Sequence, residues 1–277
     1  MSKKTMVVYD GAKQKEDLHL EQTGMHKGKV MAYIHGTDIP LFDTWQHNKV
    51  ILPGSAFTAA KHFKDITIPT KTTTYNNELG LDQNVSVSAA EDSTDSFVYL
   101  FAVGTGGCGP EDSQKYDVDY TKWIQPEELI PFKYQLSSND LGTEDRSKYF
   151  GRKTLTSNGR IAYYFKAFDS DPVFKQQYTD GTPIDQNIYK SDNPLDVESF
   201  VELKMSITRR DCRDFFVATT GINSAKVNTI SLLTAVPKVI DGYIYYQNIR
   251  PLTKLNFNNI SLVDEDLGID IVYDIYY

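Results

Sequence analysis

Apolar and polar side chains alternate with a period of two along much of the second half of this chain. In residues 197–207, Val197, Val201, Leu203, Met205 and Ile207 fall on one face while Glu198, Glu202 and Lys204 fall on the other, which predicts a half-buried strand. Ile269, Ile271, Tyr273 and Ile275 alternate with Asp270 and Asp274 and predict a C-terminal strand with one wet face. Phe97 to Val103 is apolar on both faces, as expected of a central strand. Weaker strand signals lie at 65–68, 72–75, 84–89 and 117–120.

Three dipeptides mark tight turns: Asn158-Gly159, Asp180-Gly181 and Asp241-Gly242. The first joins 153–156 to 160–168, and the last joins 236–240 to 243–246. Pro237 confines the strand that carries it to a sheet edge or makes it the beginning of a strand. Helical signals are few and short: Ser55 caps 56–63, Pro126 opens 126–130, Thr143 caps 144–149, and a further segment covers 209–217. The balance predicts a mainly β protein, a β-sandwich-like body with a few short helices and an N-terminal arm; an α+β arrangement is the alternative.

Charge suggests how the chain is divided. Residues 1–64 hold nine lysines against six carboxylates and all five histidines, so this part is net positive within a chain of net charge −8. The expected division is an N-terminal arm or small subdomain, 1–64, attached to a β-rich body, 65–277. The Asp-, Gly-, Pro- and Asn-containing stretch 176–196 is the one candidate linker. The acidic total argues against a broad nucleic-acid face, which needs a basic stripe to neutralise phosphates. No apolar run is long enough for a transmembrane helix, and no export signal precedes Val7, so the chain is expected to stay where it is made. Cys108 and Cys212 are too few for a disulfide framework and are expected to be reduced.

Candidate chemistry adds little. Gly104-Thr105-Gly106-Gly107-Cys108-Gly109 satisfies the dinucleotide spacing and follows an apolar strand, but Pro110-Glu111-Asp112 puts carboxylates where a pyrophosphate would sit and starts no amphipathic helix. A loop that turns tightly or admits another backbone is the better reading. Cys108 is a nucleophile only if the fold brings a histidine to it. The histidines have no zinc spacing, and Asp169-Ser170-Asp171 lacks the glycine and glutamate of a calcium loop, which leaves a loop cap. No catalytic residue, cofactor or metal ligand is therefore expected, and no enzyme activity.

Several segments resemble virion structural proteins of tailed bacteriophages. They are Phe101 to Asp112, with its Ala102-Val103-Gly104 entry, together with Trp123 and Pro131-Phe132-Lys133-Tyr134, and Asn248 to Phe257 with the strand 270–277. The similarity is to components of the neck, tail or baseplate and covers residues 97–277. It implies a homo-oligomeric ring, such as a head-tail connector, collar or baseplate component. Such a ring contacts other virion proteins, is made in the host cytoplasm, and contacts neither a membrane nor a specific nucleic-acid sequence, although DNA passes through it. Within that reading Trp45, Trp123, Phe132 and Tyr134 are the expected assembly contacts, with the arm 1–64 or the loop 104–116 reaching a neighbour. The alternative function is a β-sandwich carbohydrate-binding or hydrolysing protein, in which exposed aromatic rings stack on sugars.

Overall fold

The structure is a computed structural model, and it describes residues 28–51, 54, 67–68, 73–75, 81–83, 87–88, 96–109, 114–119, 124, 128–136, 138–139, 141–155, 158–184, 197–208, 210–240, 242–263 and 268–276. In chain order the strands begin with β1 (Gly28–Ile34), β2 (Gln46–His47), β3 (Lys49–Val50), β4 (Thr67–Ile68), β5 (Thr73–Tyr75) and β6 (Leu81–Gln83). They continue with β7 (Val87–Ser88), β8 (Phe97–Gly104), β9 (Leu129–Ile130), β10 (Lys133–Leu136), β11 (Tyr149–Leu155) and β12 (Arg160–Ala167). The last six are β13 (Val173–Tyr178), β14 (Val197–Ile207), β15 (Lys226–Ile240), β16 (Tyr243–Pro251), β17 (Thr253–Ser261) and β18 (Ile269–Tyr276). One helix, α1 (Arg213–Thr219), follows β14, and short 3₁₀ turns cover Asp145–Ser147 and Ile222–Ser224. The protein is mainly β.

Two antiparallel sheets pack face to face. The smaller runs β13-β14-β18-β1-β2. The larger has eleven strands along the path β10-β12-β8-β15-β16-β5-β6, with β11 also on β12, β9 on β8, and β17 bridging β15 and β3. Period two places one side of each sheet inward: Val30, Leu203, Met205, Ile271 and Tyr273 from the smaller meet Phe101, Val103, Phe132, Ile230 and Phe257 from the larger. The other side of β8 is buried too. Leu100 and Ala102 join Phe150, Phe165, Leu233, Tyr246 and Ile249 in a second core, where the larger sheet curls until Phe150 on β11 meets Tyr246 on β16 edge-on at 4.7 Å. Gly151 makes that curl possible: it adopts φ +67°, and a Cβ there would collide with the Phe165 ring.

The strand β14 spans Val197–Ile207 as its alternation predicts, and the hairpins at Asn158-Gly159 and Asp241-Gly242 form with Leu155 opposite Arg160 and Ile240 opposite Tyr243. Other expectations need correction. Residues 28–51 are not an arm: β1 pairs with β18 along its whole length, from Gly28 opposite Ile275 to Ile34 opposite Ile269, so a boundary at 64 does not separate an arm from the body. Of the nine lysines that suggested the border, Lys29 lies on β1 and Lys49 on β3, and the other seven lie outside the described residues. The segment expected to be helical at 126–130 ends in strand β9, because Leu129 and Ile130 extend the edge of β8. At 117–119 there is no strand, and the pairing in that region is one bridge between Cys108 and Lys115. The helix expected at 209–217 starts at Arg213, and at 144–149 a 3₁₀ turn gives way to β11. The linker proposed at 176–196 begins inside β13, and the helix expected at 56–63 lies outside the described residues. Pro237 lies well inside a fifteen-residue strand, just past Ala235, where β8 stops pairing with it and β15 becomes an edge on that side.

The glycine loop is folded onto its own body. Thr105 N–H donates to the Glu128 carbonyl at 3.0 Å, Gly107 N–H to Asn228 Oδ1 at 2.7 Å, and Tyr116 N–H to the Gly107 carbonyl at 2.8 Å. Asn256 Nδ2 donates to the Tyr116 carbonyl, and Cys108 Sγ lies 3.1 Å from the Phe257 carbonyl that it donates to. The described part of 104–116 is thus engaged internally rather than extended toward a neighbour. A Cβ on Gly107 would run into the Asn228 carbonyl, whereas Gly142 has open space around it. Gly107→Ala is therefore expected to cost more than about 2 kcal/mol in urea unfolding and Gly142→Ala less than about 0.5 kcal/mol.

Candidate functional site

The four residues expected as assembly contacts separate sharply. Phe132 keeps 1% of its surface and Tyr134 5%, so both are core residues: Phe132 packs edge-on against Phe101 at 5.2 Å, and Tyr134 against Phe215 of α1 at 5.5 Å while accepting a hydrogen bond from Asn158. Tyr134 alternates with the half-buried Lys133 and Gln135 on a strand buried on one face, and Phe132 precedes that strand. Trp45 is exposed, at 37%, beside β2, while Phe42 carries the packing in that connection. Trp123 lies outside the described residues.

A polar cleft opens where β12, β14 and the 141–149 connection meet, with a volume of about 750 Å³. Its floor is a buried ion pair. Lys166, inward on β12, donates to Asp211 Oδ2 at 2.9 Å and to the Ser206 carbonyl at 2.7 Å. Asp211 is delivered by a tight corner after β14, where Thr208 donates to Oδ2 through its N–H and its hydroxyl, and Cys212 takes φ +66°. Tyr149 donates its hydroxyl to Asp211 Oδ1 at 2.7 Å. Burial and the Asp211 charge push the Tyr149 phenol far above its ordinary range, so it stays a neutral donor. Burial likewise raises the Cys212 thiol, which leaves it unreactive. At the rim Ser206 donates to Asp169, the first residue of the Asp-Ser-Asp motif, whose carboxyl is raised mainly by desolvation, with Lys166 opposing. The pair Lys166–Asp211 joins the two sheets and was not foreseen, because residues 45 apart carry no local signal.

On the outer face of the smaller sheet the C-terminal strand departs from its expected wet face. Asp274 is buried to 7% exposure between Lys29 on β1 and Glu202 on β14, and its Oδ1 has no hydrogen-bond partner. Burial first, then the Glu202 charge, raises its carboxyl from 3.8 to about 6, with Lys175 and Lys29 acting the other way. Above it Tyr276 stacks on Phe200 at 5.0 Å, and Lys29 covers the Tyr276 ring at 4.5 Å. Asp270, at the other end of the strand, instead binds the β1 turn, lying 2.6 Å from His35 Nδ1 and accepting from Gly36 N–H at 2.9 Å.

Among the described residues, the β15–β16 hairpin carries exposed apolar side chains, including Val239, the one with the largest exposed fraction. β8 ends opposite Ala235, and beyond it Val236 to Ile240 pair with β16. The cross-strand pair Val239 and Ile244 is 72% and 50% exposed, and Phe97 at the base is 50% exposed. Edge-on contact of Phe97 with Tyr99, and contact of Tyr99 with Tyr246, connect this strip to the second core. A register shift at Thr234/Val236, with Asn248 at φ +50°, sets a bulge where the hairpin leaves the sheet. The pattern was visible in the sequence as apolar residues flanking Asp241-Gly242, but the length of the strand was not.

More than half of the chain, residues 46–196, matches a family described as a family of unknown function (DUF7208), and the chain belongs to that family. The match takes in the cleft residues from Lys133 to Asp169 and stops before β14. No curated protein and no solved structure matches the chain.

Two stability measurements follow. Asp211→Asn leaves the Lys166 ammonium buried without its counter-charge and is expected to cost about 3–5 kcal/mol in urea unfolding, most of which Lys166→Met restores in the double variant. Between pH 4 and 6 the folded protein keeps a proton on Asp274 that the unfolded chain has released, so this group's contribution to stability falls as pH rises, by roughly 3 kcal/mol in all. Asp274→Asn should remove that fall from a series of urea midpoints taken between pH 4 and 7.

Proposed function

We propose that this member of a family of unknown function is a structural subunit of a tailed-phage virion, assembled as a homo-oligomeric ring in the neck, tail or baseplate. The observation that carries this reading is the β15–β16 hairpin, which extends past the sheet and holds Val239, Ile244 and Phe97 in water. Exposed apolar side chains on an arm continuous with a core are stabilised by burial against a second surface, which is how subunit arms lock neighbours. The resemblance of residues 101–112, 131–134, 248–257 and 270–277 to neck, tail and baseplate proteins supplies the virion context; 101–112 contains the glycine loop and 248–257 follows the hairpin. Its work is assembly rather than turnover. Trp45 belongs with the hairpin as a contact residue on the strength of its exposure.

The acidic excess, −8 overall, suits a ring through which DNA slides without sticking, since fixed carboxylates repel phosphates. In this reading the ring's partners are other copies of the chain and neighbouring virion proteins, and its site of action is the virion after synthesis in the host cytoplasm.

Val239→Asp with Ile244→Asp places two charges on the exposed strip while leaving both cores intact. Sedimentation velocity should then show loss of the oligomer, with the melting temperature of the subunit within about 2 °C of wild type. An unchanged oligomer in the doubly substituted protein would remove the hairpin from the interface.

A further inference from the structure

The assembly reading gives no role to the buried pair Lys166–Asp211. An ion pair such as Lys148–Glu144, with side chains 47% and 84% exposed, stands open to water. The Lys166 and Asp211 side chains keep only 4% and 0% of their surface, with Nζ 2.9 Å from Oδ2. The carboxyl carbon is one bond beyond that oxygen. It therefore lies about 3–4 Å from the amine nitrogen, close to the separation from which held reactants join.

The groups around the pair favour condensation. Tyr149 donates its hydroxyl to Asp211 Oδ1 at 2.7 Å, where negative charge gathers when an amine adds to the carbon. Thr208 donates to Oδ2, the oxygen that would leave, through its N–H at 2.8 Å and its hydroxyl at 3.0 Å. The Ser206 carbonyl accepts from Nζ at 2.7 Å and holds the amine against the carboxyl. Well-oriented groups within one molecule react as if at about 10⁵–10⁸ M. Condensation also replaces two buried charges with one neutral amide, which a low-dielectric interior prefers. Lys166, Tyr149, Ser206 and Thr208 line the polar cleft, so the water released has a way out.

We propose that Lys166 and Asp211 condense in the folded subunit to an isopeptide bond, a covalent tie between β12 and the corner that follows β14. The ammonium first passes a proton to Oδ2 across their hydrogen bond. The nitrogen lone pair then joins Cγ, and Oδ1 takes up negative charge opposite the Tyr149 hydroxyl. Oδ2 leaves as water with a second proton from the nitrogen, and the carbonyl re-forms at Oδ1. One hydrogen stays on the amide nitrogen, and no further reactant is consumed. The first proton transfer limits the rate, so newly folded protein carries the ion pair and aged protein the bond.

The test follows the intact mass of the purified full chain over several weeks at neutral pH. A species lighter by about 18 Da, one water, is expected to accumulate, and trypsin should release from it a branched peptide joining 161–175 to 211–213. The same chain kept unfolded in urea, and the variants Lys166→Met and Asp211→Ala, should hold their full mass. Tyr149→Phe keeps both reactants but lacks the donor at Oδ1, so its bond should form about tenfold or more slowly. The lighter species should unfold at a higher urea concentration, because a tie between 166 and 211 restricts the unfolded chain. A folded wild-type chain that keeps its full mass throughout, with 161–166 and 211–213 recovered as separate peptides, would overturn the proposal. So would a loss of water that persists in Lys166→Met, which would mark a succinimide instead.

Discussion

Pairing between β8 and β15 fixes the rest of the molecule. Both strands are buried on two sides, with Phe101 and Ile230 facing the smaller sheet and Leu100 and Leu233 facing the curled interior of the larger one. A strand apolar on both faces must be covered twice, so the smaller sheet packs on one side and β11 and β16 close over the other. The same pairing sets where the hairpin begins. Once β8 stops at Phe97, β15 continues with one neighbour, and its apolar side chains run out of core before they run out of strand.

Local pattern revealed what is local. The alternation in 197–207 marks β14 from its first to its last residue, and the Asn-Gly and Asp-Gly dipeptides mark two hairpins, because strand period and turn chemistry are properties of adjacent residues. What each face meets is a property of the whole fold. Asp270 and Asp274 share one face of β18 and both lie between β1 and β14, yet Asp270, opposite Tyr33 and Ser206 near the strand end, holds the turn after β1, whereas Asp274 is buried opposite Lys29 and Glu202. Likewise β1 pairs with a strand more than two hundred residues away, and the charge of residues 1–64 suggested a separate arm because charge was the stronger local signal.

The functional surfaces divide along the same line. The glycine loop was legible as a place of close backbone approach, and the Asn228 carbonyl above Gly107 is that approach. Phe132 and Tyr134 are held in the core by Phe101 and Phe215, neighbours in space that the local pattern does not identify. The Lys166–Asp211 pair, which ties the sheets and floors the cleft, joins residues 45 apart and leaves no trace in periodicity. Its desolvation cost is met by the Ser206 carbonyl, Tyr149 and Thr208, which satisfy the remaining donors and acceptors. The cleft and the hairpin lie on different elements of the fold.

The hairpin's apolar strip is the feature that most needs a partner, and a second copy of the chain is the partner this account assigns to it. Mass photometry of the purified full chain over a concentration series tests that assignment directly. The account predicts a discrete closed species at an integral multiple of 31.4 kDa that resolves as a ring in negative stain. A population that stays at 31.4 kDa at every concentration would contradict it.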